Sequence, residues 1–253
     1  MKKHAATDFI LTEQELEQVR SDREALEWLA TESGLETVQP GGAPSTTPIS
    51  EEAFTLIVEF EVSGEQAYTK RYRKPVWPKG QSGVTIGIGY DVGYASKPQL
   101  HADWDGAIPG PMVTALESAL GVTGATANAV AKRLQASIDV PWEAAIAVHR
   151  GRVLPRWVGL VERNLSNTAL IGPDCLGALV SLTYNRGASF GKAGARYREM
   201  RNIKSHMASK EFTAIPDEFR SMKRLWPDMR GLQKRREREA ELFEKGLAAL
   251  PSA

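Results

Sequence analysis

The stretch Leu56-Ile-Val-Glu-Phe-Glu-Val62 sets two glutamates two residues apart in an otherwise apolar run. On a helix at about 100° per residue, Phe54, Ile57 and Val58 mark one apolar face. Glu61 follows Phe54 by seven residues and falls in the middle of that face, whereas Glu59 points to the other side. A carboxylate on a buried face is costly unless it is paired or protonated. Burial raises the pKa of a carboxylic acid, the property that a general acid working near neutral pH requires. A structural glutamate paired with a buried arginine such as Arg236 would leave the same pattern, because structural ion pairs also occupy buried faces.

A second signal is Gly83-Val-Thr-Ile-Gly-Ile-Gly-Tyr-Asp-Val-Gly93. Gly87 and Gly89 alternate with Ile86 and Ile88, so a strand here has one apolar face and one bare backbone face open to close approach. The spacing is not that of a dinucleotide or phosphate loop and no clear helix start follows, which argues against a nucleotide site. Thr85 and Asp91 flank the stretch. Asp91 precedes Gly93 and is equally suited to capping a turn. Cys175 is the only cysteine, so no intrachain disulfide forms; it lies in an apolar stretch and reads as a core thiol. His4, His101, His149 and His206 have no ligand spacing, and neither a metal nor a cofactor is expected. Arg236 and Glu239, three apart on an apolar face, read as a structural pair. Trp77, flanked by prolines, is the best candidate for a sugar-stacking surface.

These groups need elements to hold them. Thr12 and Glu15 make a capping-box pattern before Leu16, Val19, Leu26 and Leu29, so residues 1–38 read as an N-terminal helical extension. Residues 39–49 carry glycine and proline without periodicity and read as a linker. The main domain is taken as 50–253. Ser50 is placed to cap a helix that ends at Ser63-Gly64. Tyr68 to Tyr94 is rich in Tyr, Val, Thr, Gly and Pro and predicts a small irregular β-region. Beyond about Pro109 the apolar spacing is helical. The expected class is therefore α+β, mostly α, with a small β-hairpin region followed by a helical lobe.

Four segments, in order, resemble the phage-type lysozymes, the glycoside hydrolase family 24-like muramidases: Leu56-Ile-Val-Glu-Phe-Glu-Val-Ser-Gly-Glu-Gln-Ala-Tyr68, Thr85-Ile-Gly-Ile-Gly-Tyr90, Ala178-Leu-Val-Ser-Leu-Thr-Tyr-Asn-Arg-Gly187 and Gly231-Leu-Gln-Lys-Arg-Arg-Glu-Arg-Glu-Ala-Glu-Leu-Phe243. Between Tyr68 and Thr85 there is no Asp or Glu, and Tyr90 stands where the common phage enzymes carry His. Both departures are similar to the pesticin-like branch of bacterial toxins. The resemblance implies a lysozyme-like fold and an active set of Glu61, Thr85 and Asp91. Glu61 would protonate the β-1,4 bond between N-acetylmuramic acid and N-acetylglucosamine, while Asp91 and Thr85 handle the attacking water, with inversion suggested. It also implies that Tyr68, Tyr90, Asn185 and Arg186 contact substrate. For Asn185 a helix-capping role before Gly187 stands beside that one.

The chain has 253 residues and a formal net charge of +1, which does not argue for nucleic acid. Between Arg196 and Arg238 cations outnumber acids, which fits either solvated helix faces or a patch for an anionic polymer such as cell wall. The first residues lack the apolar core of a standard secretory signal, and no apolar run is long enough to cross a membrane. Synthesis in the cytoplasm and action on cell wall after delivery or lysis is the expectation. A phage endolysin, a secreted effector or toxin and a bacteriocin domain all fit. The partners expected are peptidoglycan strands, a delivery apparatus through the N-terminal segment and an immunity protein, without nucleic acid or membrane insertion. A lytic transglycosylase, a non-catalytic wall-binding module and an Arg-rich nucleic-acid binder are the competing readings.

Overall fold

The computed structural model describes residues 11–21 and 43–250. Leu26, Leu29 and the first residues of the expected linker lie outside that range. The described part is α+β and mostly α. In chain order its principal elements are α1 (Glu13–Ser21), α2 (Glu51–Val62), α3 (Glu65–Arg71), β1 (Thr85–Ile86), β2 (Tyr90–Asp91), α4 (Lys97–Trp104), α5 (Gly110–Leu116), α6 (Thr126–Leu134) and α7 (Trp142–Val148). A π-helical turn, His149–Val153, leads into α8 (Leu154–Asn164). Then follow α9 (Pro173–Arg186), α10 (Arg198–Ser209), α11 (Ile215–Ser221) and α12 (Arg230–Ala248).

Helix starts follow from local chemistry. At α1 the backbone N–H of Thr12 donates to Glu15 Oε2 at 2.9 Å and that of Glu15 donates to Thr12 Oγ1 at 3.2 Å, a reciprocal capping box. At α2 the Ser50 hydroxyl accepts from the N–H of Ala53 at 3.0 Å. The helix stops where Ser63 and Gly64 take positive φ. α2 carries more than one apolar face: only Glu51, Glu52 and Thr55 are exposed, and Ala53, Ile57, Phe60 and Val62 are fully buried. A helix apolar nearly all round is a core helix. It packs on α9, α1 and α12, and Gly177 of α9 has no side chain because Ala53 of α2 fills that space.

The β-region is smaller than its composition predicts. Tyr68 and the residues around it form α3, and β1 and β2 make one antiparallel pair with Thr85 opposite Asp91 and Ile86 opposite Tyr90. Val76 adds a single bridge to Thr85. The intervening residues Gly87 to Gly89 turn with positive φ at both glycines, and a side chain at Gly87 would collide with the Trp104 ring. α4 falls in the stretch before Pro109 that the sequence pattern left without a helix. Residues 43–49 have neither helix nor strand and are bound to the main body: the N–H of Ser45 donates to the Pro155 carbonyl at 2.9 Å, and Ala43 O takes the place of a side chain at Gly159. No helix of the described residues is long and apolar enough to cross a membrane.

Candidate active site

Glu61 lies in the last turn of α2 and is 4% exposed. Its carboxylate Oε1 accepts from Arg235 Nη1 at 3.2 Å. Arg235, itself fully buried on α12, is fixed on its remaining edges. Its Nε donates to Ser181 Oγ at 3.2 Å and to Glu239 Oε1 at 3.3 Å, and its Nη2 donates to the Ser181 carbonyl at 3.1 Å. Ser181 Oγ in turn donates to Glu239 Oε1 at 2.6 Å. The buried arginine paired with Glu61 is thus Arg235 rather than Arg236. Arg236 pairs with Glu239 at 2.7 Å, the structural pair its spacing predicts. Burial among Arg235 and Arg186 pushes the Arg236 guanidinium down to about 10, against the pull of Glu239. Arg235 went unnoticed in the sequence although its signal was present: it precedes Glu239 by one helical turn, as Arg236 nearly does.

Glu59, two residues before Glu61, is half-buried, and burial holds its carboxyl above the usual range against the opposing charge of Arg238. α2 therefore presents two glutamates to different surroundings, as their helical phase implies.

The Thr85 and Asp91 pair comes together by strand register. Opposed residues of an antiparallel pair project to the same face, so the two side chains share one side of the hairpin. Both are buried, at 1% and 3% exposure. The Asp91 carboxylate is anchored to backbone: Oδ1 and Oδ2 accept from the N–H of Gly83 at 3.1 and 2.9 Å, and Oδ1 also accepts from the N–H of Gly93 at 3.0 Å. Gly83 and Gly93 lack side chains because this carboxylate and each other's backbone occupy that space. Asp91 thus meets the turn-capping alternative that its sequence setting left open, and any part it takes in water activation starts from this bound state.

Three of the four residues expected to contact substrate have their polar groups committed inside the protein. Tyr68 donates its hydroxyl to the Val140 carbonyl at 2.9 Å and packs on Trp142. Tyr90 donates to Asp103 Oδ2 at 2.9 Å, and Arg156 pairs with the same carboxylate. Burial raises both phenols above their ordinary range, and the Asp103 charge adds to the rise at Tyr90. Arg186 is fully buried, donates from Nη2 to the Arg196 carbonyl at 3.0 Å, and lies over the Trp226 ring. All three are buried, with Tyr68 and Arg186 fully enclosed, so a substrate contact from any of them requires the surrounding core to open. Asn185 is buried in the last turn of α9, and the C-cap itself is Gly187, whose N–H donates to the Thr183 carbonyl at 2.8 Å.

Trp77 is half-buried; its Nε1 donates to the Ser82 carbonyl at 3.0 Å, and its ring lines a pocket of about 270 Å³ with Arg20, Tyr72 and Lys79. Many of the cations between Arg196 and Arg238 are matched by acids. Arg198 and Arg224 meet Glu199, Arg220 meets Glu237 and Glu244, and Lys223 meets Glu237. The field available to an anionic polymer is accordingly weaker than the residue count suggests. Among the described residues no cluster of three or more His, Cys, Asp or Glu has the arrangement to hold a metal.

A family model described as a domain of unknown function (DUF8812) matches residues 57–145. The match begins inside α2 and ends inside α7, so it takes in Glu61, Thr85 and Asp91 and stops short of Ser181 and Arg235. No curated protein matches the chain.

Proposed function

We propose that this protein is a muramidase that hydrolyses the β-1,4 bond between N-acetylmuramic acid and N-acetylglucosamine in peptidoglycan, with Glu61 as general acid. The observation that carries the reading is Glu61 itself. It is an enclosed carboxylate at the end of a core helix, held at one oxygen by an arginine that three further hydrogen bonds fix in place. A positioned general acid is worth about 10²–10⁴ in rate, and donation of a proton from Glu61 requires that its contact with Arg235 be given up when substrate binds. The four ordered motifs and the lysozyme-like fold they imply support the same reading, as does the side-by-side placement of Thr85 and Asp91 in the hairpin. In this scheme Asp91 stays ionised and orients the attacking water with the Thr85 hydroxyl. Delivery as an endolysin, effector or bacteriocin domain, with an immunity protein in the producer, belongs to the same proposal.

One observation favours a second reading. The Asp91 oxygens are already engaged by the N–H groups of Gly83 and Gly93. A lytic transglycosylase needs only one catalytic acid and would leave such an aspartate structural. Mass spectrometry of digested peptidoglycan separates the two readings. Hydrolysis gives reducing N-acetylmuramic acid ends, and transglycosylation gives 1,6-anhydro ends. Retention of the hydrolytic rate in a folded Asp91→Asn protein would remove Asp91 from the mechanism.

A further inference from the structure

α1 lies across the very end of α2 that carries Glu61. Arg20 of α1 donates from Nη1 to the Glu61 backbone carbonyl at 2.8 Å, and its guanidinium stacks 4.1 Å from the centroid of the Tyr72 ring. On one side α1 reaches the segment that leads into the hairpin: Glu13 pairs with Arg71 at 2.9 Å, and Glu17 pairs with Lys79. On the other it reaches the start of α12. There Glu15 pairs with Lys234 at 2.6 Å, and the Glu15 carbonyl stands where Gly231 would carry a side chain. Leu16 and Val19 are buried beneath the helix. Between α1 and Trp77 a pocket of about 270 Å³ remains, with Glu13, Glu17 and Arg20 forming its α1 wall and Tyr72, Trp77 and Lys79 the wall opposite.

We propose that residues 11–21 are a built-in strap that closes the site around Glu61, and that a glycan strand reaches Glu61 only when the strap is displaced. The inference rests on the muramidase reading for its consequence, but its geometry is independent of it. The strap spans from Arg71 and Lys79 to Lys234 and is tied through Arg20 to the Glu61 backbone. Its outer attachments are exposed ion pairs, which contribute little and weaken with salt. A nine-residue helix does not persist in water once detached. The segment is therefore suited to exchange: a glycan strand competes with α1 for the same seat.

Two full-length variants test this. Leu16→Asp with Val19→Asp puts charge beneath α1; Glu13→Lys with Glu17→Lys turns two exposed attachments into repulsions and leaves the core untouched. The accessibility of Glu61 is read by carbodiimide-driven amine coupling followed by mass spectrometry, and cleavage by release of new glycan ends from purified peptidoglycan. The expected result is a rise of about ten-fold in Glu61 coupling in both variants, as an open population grows from about 1% to about 10%, with a parallel rise in cleavage. Equal coupling in wild type and both variants overturns the strap, whatever the cleavage. Cleavage sensitive to Glu61→Gln that runs at one rate in all three proteins also overturns it and leaves the muramidase reading standing. Raised coupling without cleavage in any protein upholds the strap and sinks the muramidase reading.

Discussion

Arg235→Met removes the guanidinium that ties Glu61 to the centre of the molecule. The side chain is fully buried, so water cannot replace what is lost. Two carboxylates contact it: Glu61 at 3.2 Å and Glu239 at 3.3 Å. Glu239 keeps Arg236 at 2.7 Å and the Ser181 hydroxyl at 2.6 Å, so the group deprived of its cation is Glu61. Breaking a buried pair from one side costs about 3–5 kcal/mol, because a charge is left in a medium that solvates it poorly. With Glu239 still served, the lower part of that range applies, about 3 kcal/mol. For a chain of this length that is a fall in Tm of about 6–12 °C. Urea unfolding followed by far-UV circular dichroism measures the first figure and calorimetry the second. Adding Glu61→Gln to Arg235→Met should recover a large part of the loss, since the two changes act on one interaction. A loss below about 1 kcal/mol, the size expected of an exposed pair such as Arg71–Glu13, would show that Arg235 does not hold Glu61 as described.

Further outcomes follow from the same structure. Asp91→Asn sets an amide against the N–H groups of Gly83 and Gly93 and should lower stability by about 1–3 kcal/mol in urea unfolding; an unchanged midpoint would mean that the hairpin does not depend on this anchor. Burial raises Glu199, but hydrogen bonds from Arg224, Ser221 and Arg198 outweigh it and hold this carboxyl down at about 2. The stability it confers is therefore present above the unfolded-state value of 4.5 and lost as pH falls toward 2, about 3 kcal/mol in all; Glu199→Gln should flatten the acid limb of the stability curve in that window, and a parallel curve would refute the assignment. Gly87→Ala forces a positive φ on a side chain that would stand 2.9 Å from Trp104, so it should cost about 1–3 kcal/mol and change the near-UV spectrum, with no change counting against the tip packing. Burial pushes the Cys175 thiol up to about 12, and it donates to the Phe243 carbonyl, so a disulfide reagent should modify it only after unfolding; rapid reaction of the folded protein would contradict that burial.

The ends of α1 and α2 were legible because capping is local chemistry: Thr12 with Glu15, Ser50, and Ser63-Gly64 need no knowledge of the rest of the chain. The class, mostly helical with one small hairpin, was legible in the change of period after the glycine-rich stretch. α4 was missed because its eight residues hold few apolar positions and begin at Lys97-Pro98, which reads as a turn. Helical phase set Glu61 on a buried face correctly, but phase along one helix cannot name the partner supplied by another 174 residues away, and Arg235 and Arg236 are adjacent. Asp91 shows the same limit from the other side. Its register with Thr85 is short-range, whereas the fact that both its oxygens are taken by backbone N–H groups depends on how the chain doubles back through Gly83 and Gly93. Tyr68, Tyr90 and Arg186 lie in the motifs with their polar tips bonded inside the protein, an arrangement the motifs alone do not reveal, because large side chains with one polar tip are as useful for locking a core as for meeting a ligand.

The most direct measurement is release of new reducing ends from purified peptidoglycan by wild type, Glu61→Gln and Glu59→Gln, each with the strap in place and displaced by Glu13→Lys with Glu17→Lys. The account predicts cleavage by wild type and by Glu59→Gln, and a loss of about 10²–10⁴ in rate for Glu61→Gln with its fold unchanged. Cleavage by Glu61→Gln at the wild-type rate, or no cleavage by any of these proteins even with the strap displaced, would contradict it.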